Sequence, residues 1–354
     1  MKKIANRRKF VRSALIVGAG LGFLKSSAAS LFGSGSLSER KRIGIIGLDT
    51  SHCPAFTKLI NSGSLGAAYT KYKVVAAYPT KGSADFPASI ERLAGFTKQM
   101  KDMGIEIIAS EEDLLKKVDL ILLESVDGRV HFEQAMAVLK AGKPMFIDKP
   151  ISSSLAPAIA IFEASKKYKT PVFSSSDIRF VPDTQAILQE KTIGNVLGAD
   201  TYSPFTEAPG HPELFFYGIH GVELLISVMG TGCKEVVRLS SKGNDIVIGI
   251  WDDGRIGTVR RIPPGGKSSV GGSVFGVNGI SPVRDDTYDA LVIKILDFFQ
   301  TGISPVKPEE TLEILAFMEA ADKSKRNGGV PVSIQSIMQE AKQKAKDYAS
   351  IVNS

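Results

Sequence analysis

The 354-residue chain is poor in cysteine, tryptophan and histidine, with two, one and four of them. Two cysteines, Cys53 and Cys233, make no disulfide framework. They read as two separate buried thiols, with pairing in an oxidising compartment left open. No apolar run reaches the roughly 18–20 residues that a membrane-spanning helix needs. Nor is there a true excess of one charge. The formal net charge is +7, but seven of the 44 basic residues and none of the 37 acidic ones fall in the first 29 positions, leaving 37 of each sign. The basic balance is therefore no argument for nucleic acid binding. A tight ligand motif such as H-E-x-x-H is absent, so no metal centre is assigned. What remains, 43% apolar and 23% charged residues, is the composition of an ordinary globular protein.

The basic residues at the start have an order of their own. Asn6-Arg7-Arg8-Lys9-Phe10-Val11-Arg12 resembles the twin-arginine export signal. A mild apolar stretch at 14–24, Lys25 and the small residues Ser26-Ser27-Ala28-Ala29-Ser30 complete a cleavable leader. Residues 1–29 are expected to be this signal, residues 30–41 a polar linker, and the protein periplasmic or otherwise exported. The alternative is an amphipathic helix belonging to the fold. Twin-arginine export carries folded proteins, which is compatible with a cofactor loaded beforehand.

Residues 118–150 carry the clearest structural pattern. An apolar run at 118–123 has strand length, Phe132, Ala135, Met136 and Leu139 share one helical face, and Gly142 ends that helix. A second apolar strand then delivers Asp148-Lys149-Pro150 at its C-terminal end, where open α/β sheets bind ligands. Further strands at 42–47, 73–78 and 106–109, with helices between them, predict a doubly wound parallel sheet over residues 42–152. The second half, 153–354, reads differently. After a helix at 155–167 and a strand at 170–174, strand-like runs at 196–203, 235–241, 245–251 and 255–261 alternate with turns such as Asp252-Asp253-Gly254. Residues 265–278 are open between a loop and a poorly packed edge strand. Helices near 288–300 and 308–327 follow. This predicts an α+β domain with an open antiparallel sheet.

Four segments resemble the glucose–fructose oxidoreductase / inositol dehydrogenase / MocA (Gfo/Idh/MocA) family. Residues 141–150, ending Asp148-Lys149-Pro150, resemble the family's strand ending in Glu-Lys-Pro. His131 matches the histidine after its fourth strand. Arg179-Phe180-Val181-Pro182 with residues 193–198 resembles the entry to its second domain. Residues 218–225, with His220 and Glu223, match the helix that presents its catalytic histidine. The resemblance implies a Rossmann-like fold and transfer of a hydride between NAD or NADP and a sugar or polyol. It implies Lys149 and His220 as catalytic residues, the lysine hydrogen-bonding the reacting hydroxyl and the histidine accepting its proton. Gly47, Asp49, Thr50, Ser51, His52, Ser125, His131 and Lys149 would hold the cofactor, and Arg179, His211, Tyr217 and Glu223 the substrate. A homo-oligomer is expected on the same ground.

Three slots depart from the family pattern. The G-x-G-x-x-G positions hold Gly47, Asp49 and His52, which sets a carboxylate where a pyrophosphate is expected; Gly44 lies too early to restore the motif. The second strand ends in Tyr78-Pro79-Thr80-Lys81, without an acid for the ribose; Lys81 is either a partner for a 2′-phosphate or a solvated loop lysine. Phe216 stands where the family has an aspartate before the catalytic histidine, and Glu223 on the same helical face is the expected substitute. Two other readings stay open. One is a non-redox sugar lyase, hydratase or hydrolase, with or without a divalent metal held through Asp49, His52, His211 or His220. The other is a non-catalytic sugar-binding protein using Phe205, Phe215, Phe216, Tyr217 or Trp251 to stack a ring.

Overall fold

The computed structural model describes residues 40–189, 191–263 and 270–353. The expected export signal at 1–29 lies outside them. In the first half, apolar strands alternate with helices in chain order: β1 (Lys41–Ile46), α1 (His52–Ser62), β2 (Tyr72–Tyr78), α2 (Pro87–Asp102), β3 (Glu106–Ile107), α3 (Glu111–Lys117), β4 (Leu120–Leu123), α4 (His131–Lys140), β5 (Met145–Ile147), α5 (Leu155–Tyr168) and β6 (Val172–Phe173). The strands are parallel in the order β3-β2-β1-β4-β5-β6. That order reverses between β1 and β4, so the loops after β1, β4 and β5 meet over a crevice at the C-terminal edge.

The sheet is buried on both faces, which explains the unbroken apolar runs LILL and MFI. Ile46, Ile121, Leu123 and Ile147 face Leu114, Leu139 and Leu155 of α3, α4 and α5. Gly44 has its own reason to be glycine: a Cβ there would lie 2.8 Å from the Val118 side chain, so the residue admits the close approach of the segment after α3. On the other face Ile43, Phe146 and Phe173 pack under Phe56 of α1.

The second half comprises α6 (Pro182–Gln189), β7 (Val196–Pro204), α7 (Ile219–Met229), β8 (Cys233–Ser241), β9 (Asn244–Trp251), β10 (Ile256–Ile262), β11 (Gly271–Gly276), β12 (Gly279–Arg284), α8 (Asp289–Thr301), α9 (Pro308–Arg326), β13 (Val332–Ser333) and α10 (Ile334–Ala345). Its sheet runs β12-β11-β7-β10-β9-β8-β13. Every neighbouring pair is antiparallel except β7 and β10, which run parallel, so the sheet is mixed rather than purely antiparallel. The expected turn joins β9 to β10, with Gly254 at φ +86°. The Gly/Ser-rich segment yields β11, paired on both sides, with β12 as the edge.

Alternation along these strands divides the sheet into two faces. Thr201 and Val259 point at α7, Val247 lies buried on the same face of the sheet, and every residue of α7 is buried between this sheet and its neighbours. The opposite face carries Val237, Ile246, Ile248, Ile250 and Phe275, all half-buried, with Leu239, Ile256 and Ile280 exposed. The chain then returns to the first sheet. Leu291, Ile295 and Phe298 of α8 join the cluster around Phe56 and Phe146. At the end, the Val352 carbonyl accepts hydrogen bonds from Lys167 Nζ and the Tyr168 hydroxyl of α5. Cys53 and Cys233 are free and buried, as two separate thiols.

Candidate active site

A cleft of about 220 Å³ opens at the switch point. Its first wall is built by Thr50, Ser51 and His52 at the start of α1, Val126 after β4 and Lys149 after β5. The second wall is built by Asp177, Phe216, Tyr217 and His220, with Asp285 and Tyr288 from the segment leading into α8. Arg92, exposed on α2, stands at the rim.

Lys149 forms no ion pair among the described residues. Its ammonium lies 5.2 Å from the centre of the Tyr217 ring, a cation–π contact that holds it over the cleft. The neighbouring Asp148 turns away and meets His52 Nδ1 at 2.9 Å. His220 is buried, and burial, reinforced by the charge of Lys149, brings its pKa down to about 4. It is a neutral imidazole at pH 7.

The orientation of that ring is set by a relay. Ser176 Oγ lies 2.6 Å from His220 Nδ1 and 3.1 Å from Asp177 Oδ1, and it accepts from the Ile178 N–H at 3.3 Å. The hydroxyl has one hydrogen. When it donates to Asp177, its remaining lone pair accepts the Nδ1–H of His220. That tautomer leaves Nε2 as a free base. Asp177 Oδ1 is itself 3.7 Å from Nδ1. Asp177, from a different segment, thus supports the ring where no aspartate stands at position 216.

Residues 41–176 match the family model described as an oxidoreductase family with an NAD-binding Rossmann fold. Over those residues the chain matches the Gfo/Idh/MocA family. A dehydrogenase, aclE, of Aspergillus oryzae is 28% identical over 171 residues, which are 46% of this chain and 44% of that protein. The chain thus spans less than half the length of this curated relative. A probable dehydrogenase from Thermotoga maritima shares the fold at 18% identity with a TM-score of 0.66, covering 84% of this chain and 99% of its own. The scyllo-inositol dehydrogenase from Lactobacillus casei, solved with NAD(H) and scyllo-inositol, does so at 14% identity and 0.64, covering 84% and 100%.

Within the Gfo/Idh/MocA frame the expected site residues separate into two groups. Lys149, His220, Tyr217, Thr50, Ser51 and His52 share the cleft. Asp49 does not: it is buried, accepting from the Val126 N–H at 2.9 Å and from the Ser89 hydroxyl, and burial raises its pKa. The expected clash with a pyrophosphate disappears because the carboxylate is spent inside the protein. His131 and Ser125 are also interior. The two ring nitrogens of His131 face the Ser125 and Pro150 carbonyls at 2.6 and 2.9 Å, tying the loop after β4 to the loop after β5. Gly47 has φ +87°, and a Cβ on it would lie 2.5 Å from the Ser125 nitrogen, so it holds the tight turn against that loop.

The expected substrate residues are mostly structural. Arg179 is buried between Glu223 and Glu310, at 2.9 and 2.5 Å. Glu223 also accepts from the Ser175 hydroxyl at 2.5 Å and the Ser176 N–H at 2.8 Å. It therefore does not substitute for the missing aspartate; it anchors the backbone that carries Ser176 and Asp177. His211 is buried, accepting the Gly128 N–H at Nε2 and facing the Pro209 carbonyl with Nδ1, both at 3.0 Å. It pins its loop and leaves the substrate to others. Of the five aromatics considered for stacking, Phe205, Phe215 and Trp251 are core, while Phe216 and Tyr217 line the cleft.

Asp177, Asp285, Tyr288 and Arg92 escaped the sequence reading. Asp177 had a usable signal, since it follows β6 at the same sheet edge as Lys149. The others come from distant segments and have none. Asp285 is exposed, but partial loss of water in the cleft, with the charge of Asp177, pushes it up to about 6, and burial raises Tyr288 as well. The parts present suit a dinucleotide phosphate: α1 begins without a side-chain cap, and Arg92 supplies a cation beside Thr50 and Ser51.

Proposed function

We propose that this protein is an exported NAD(P)-dependent oxidoreductase acting on a hydroxyl-bearing carbon of a sugar, polyol or derivative. One observation carries the reading: a neutral His220, oriented through Ser176 by Asp177, shares a small cleft with the ammonium of Lys149. Gly47, Thr50, Ser51 and Arg92 would hold the dinucleotide, which supplies or takes the hydride when bound. The protein's own part is proton handling. His220 Nε2 accepts the proton of the substrate hydroxyl, and the Lys149 ammonium stabilises the negative charge that develops on its oxygen. The Tyr217 ring keeps that ammonium in place. Polar side chains dominate the lining of the cleft, which suits a hydroxylated ring beside the dinucleotide. The scyllo-inositol in the Lactobacillus casei relative supports that class. Export rests on the arginine pair Arg7-Arg8, and assembly of at least two copies rests on the half-exposed face of the second sheet.

Mass spectrometry of the denatured protein is expected to release a nicotinamide dinucleotide. His220→Gln and Lys149→Ala are expected to lower kcat by at least 100-fold while leaving dinucleotide fluorescence titrations within threefold of wild type. Asp177→Asn, which removes a charge 3.7 Å from the ring and keeps the side chain's shape, should lower kcat less and shift the acid limb of the pH–rate profile. Full turnover in either of the first two variants would overturn the reading.

A further inference from the structure

We infer that His52, Glu124 and Asp148 form a binding site for one divalent transition-metal ion of the Zn²⁺ or Mn²⁺ kind beneath the floor of the cleft. The inference goes beyond the redox reading and does not depend on it.

Glu124 directly follows β4, at the end of an apolar strand, and is fully buried. Among the described residues neither of its carboxylate oxygens has a hydrogen-bond partner, and Asp148 Oδ1, also buried, has none. Buried polar atoms without partners are rare and cost about 1–3 kcal/mol each, so three of them around one imidazole require a cause. Protonating Glu124 would give it one donor to share with a neighbour and remove its charge, but would not use the convergence of three donor groups. A cation held by His52 Nδ1, Asp148 Oδ2 and Glu124 Oε2 engages all three groups at once.

The spacing fits. His52 Nδ1 lies 2.9 Å from Asp148 Oδ2 and 3.8 Å from Glu124 Oε2, and the three donor atoms fall within 4.8 Å of one another. Donors that share an ion at about 2.1 Å lie roughly 3–4.2 Å apart, which a shift of the Glu124 side chain by tenths of an ångström achieves. His52 is already held for the purpose, stacked on Phe56 at 5.2 Å and met edge-on by Tyr288 at 4.9 Å. The chemistry also fits: two buried carboxylates, Glu124 and Asp148, converge on one imidazole.

The donor set selects the ion. One imidazole and two carboxylates suit zinc, manganese or ferrous iron; calcium takes six to eight oxygens, and magnesium keeps most of its water. Three protein ligands leave a coordination position open. His52 lines the cleft, so that position is reached from the side where Lys149 and His220 stand. The same geometry explains why histidine occupies the third glycine slot of the fingerprint.

The test uses the full chain, freed of metal with a chelator and titrated with Mn²⁺, read by electron paramagnetic resonance, and with Zn²⁺ against a chromophoric chelator. One equivalent per chain is expected. Glu124→Gln and Asp148→Asn should each weaken binding at least tenfold with an unchanged circular dichroism spectrum. Zinc X-ray absorption of the wild type, which needs no variant, should show one imidazole nitrogen and the remaining donors oxygen. No stoichiometric binding by the wild type overturns the proposal. So does wild-type affinity in both variants, or a first shell containing sulfur or several imidazoles. No dinucleotide enters these measurements, so their failure would leave the redox reading standing.

Discussion

His220 shows how position sets chemistry at the scale of one residue. Burial first and Lys149 second bring its pKa to about 4, below the usual 6.5. In the unfolded chain the imidazole takes up a proton near pH 6.5; in the native state it resists until about pH 4. The native protein therefore loses stability as pH falls through that window. Asp285 works in the opposite sense, because its pKa is raised to about 6 and the folded state holds its proton more tightly. The net slope mixes the two, so the informative quantity is a difference. Urea unfolding at pH 7.5 and pH 4.5 should show a smaller acid loss in His220→Gln than in wild type. An equal loss in both would mean that the ring is not held neutral by its surroundings. Arg179 and Glu223 give the complementary lesson: two charged residues of the kind that line active sites are instead consumed by each other.

At the scale of elements, the cleft exists because loops from two sheets are fastened to one another. His131 ties the loop after β4 to that after β5, His211 ties residues 205–212 to Gly128, and Glu223 ties the segment after β6 to α7. Each tie uses a polar side chain that its pattern marks as a ligand contact. The strongest apolar fastening is α8. Phe298 meets Phe173 edge to face at 4.8 Å, and Phe173 meets Phe146 at 5.1 Å, so a helix late in the chain completes the core of the first sheet. Phe298→Ala removes a fully buried ring from that row and is expected to cost about 3–5 kcal/mol, read as a lower urea midpoint in one cooperative transition. A loss below about 1 kcal/mol would show that α8 is not part of that core.

For the whole molecule, the open question of surface is the second sheet. Its outer face offers Val237, Ile246, Ile248, Ile250 and Phe275 half-buried and Leu239, Ile256 and Ile280 exposed, a larger contiguous apolar patch than single scattered residues make. Light scattering of the purified protein should give at least a dimer. Ile248→Lys with Ile250→Lys should yield monomers with unchanged circular dichroism; a wild-type monomer at micromolar concentration would refute the interface.

Much of this molecule was legible in the sequence. The strand–helix–strand period at 118–150, the Lys149 that ends it and the helix bearing His220 depend on local spacing and on one positional rule of parallel sheets, and local spacing is written in sequence. Burial is not. Asp49 and Ser89, Arg179 and Glu310, His220 and Ser176, and His52 and Asp148 are partners separated by 40 to 131 residues. Whether a carboxylate faces a ligand, an arginine or a metal depends on which neighbour the fold brings within about 3 Å, because only there does a hydrogen bond or ion pair repay its desolvation. The sequence by itself determined the parallel sheet and the lysine at its edge. Only the tertiary structure decided that Asp177 supports His220 through Ser176, that Asp49 is turned inside, and that Glu124 lies buried beside His52 and Asp148.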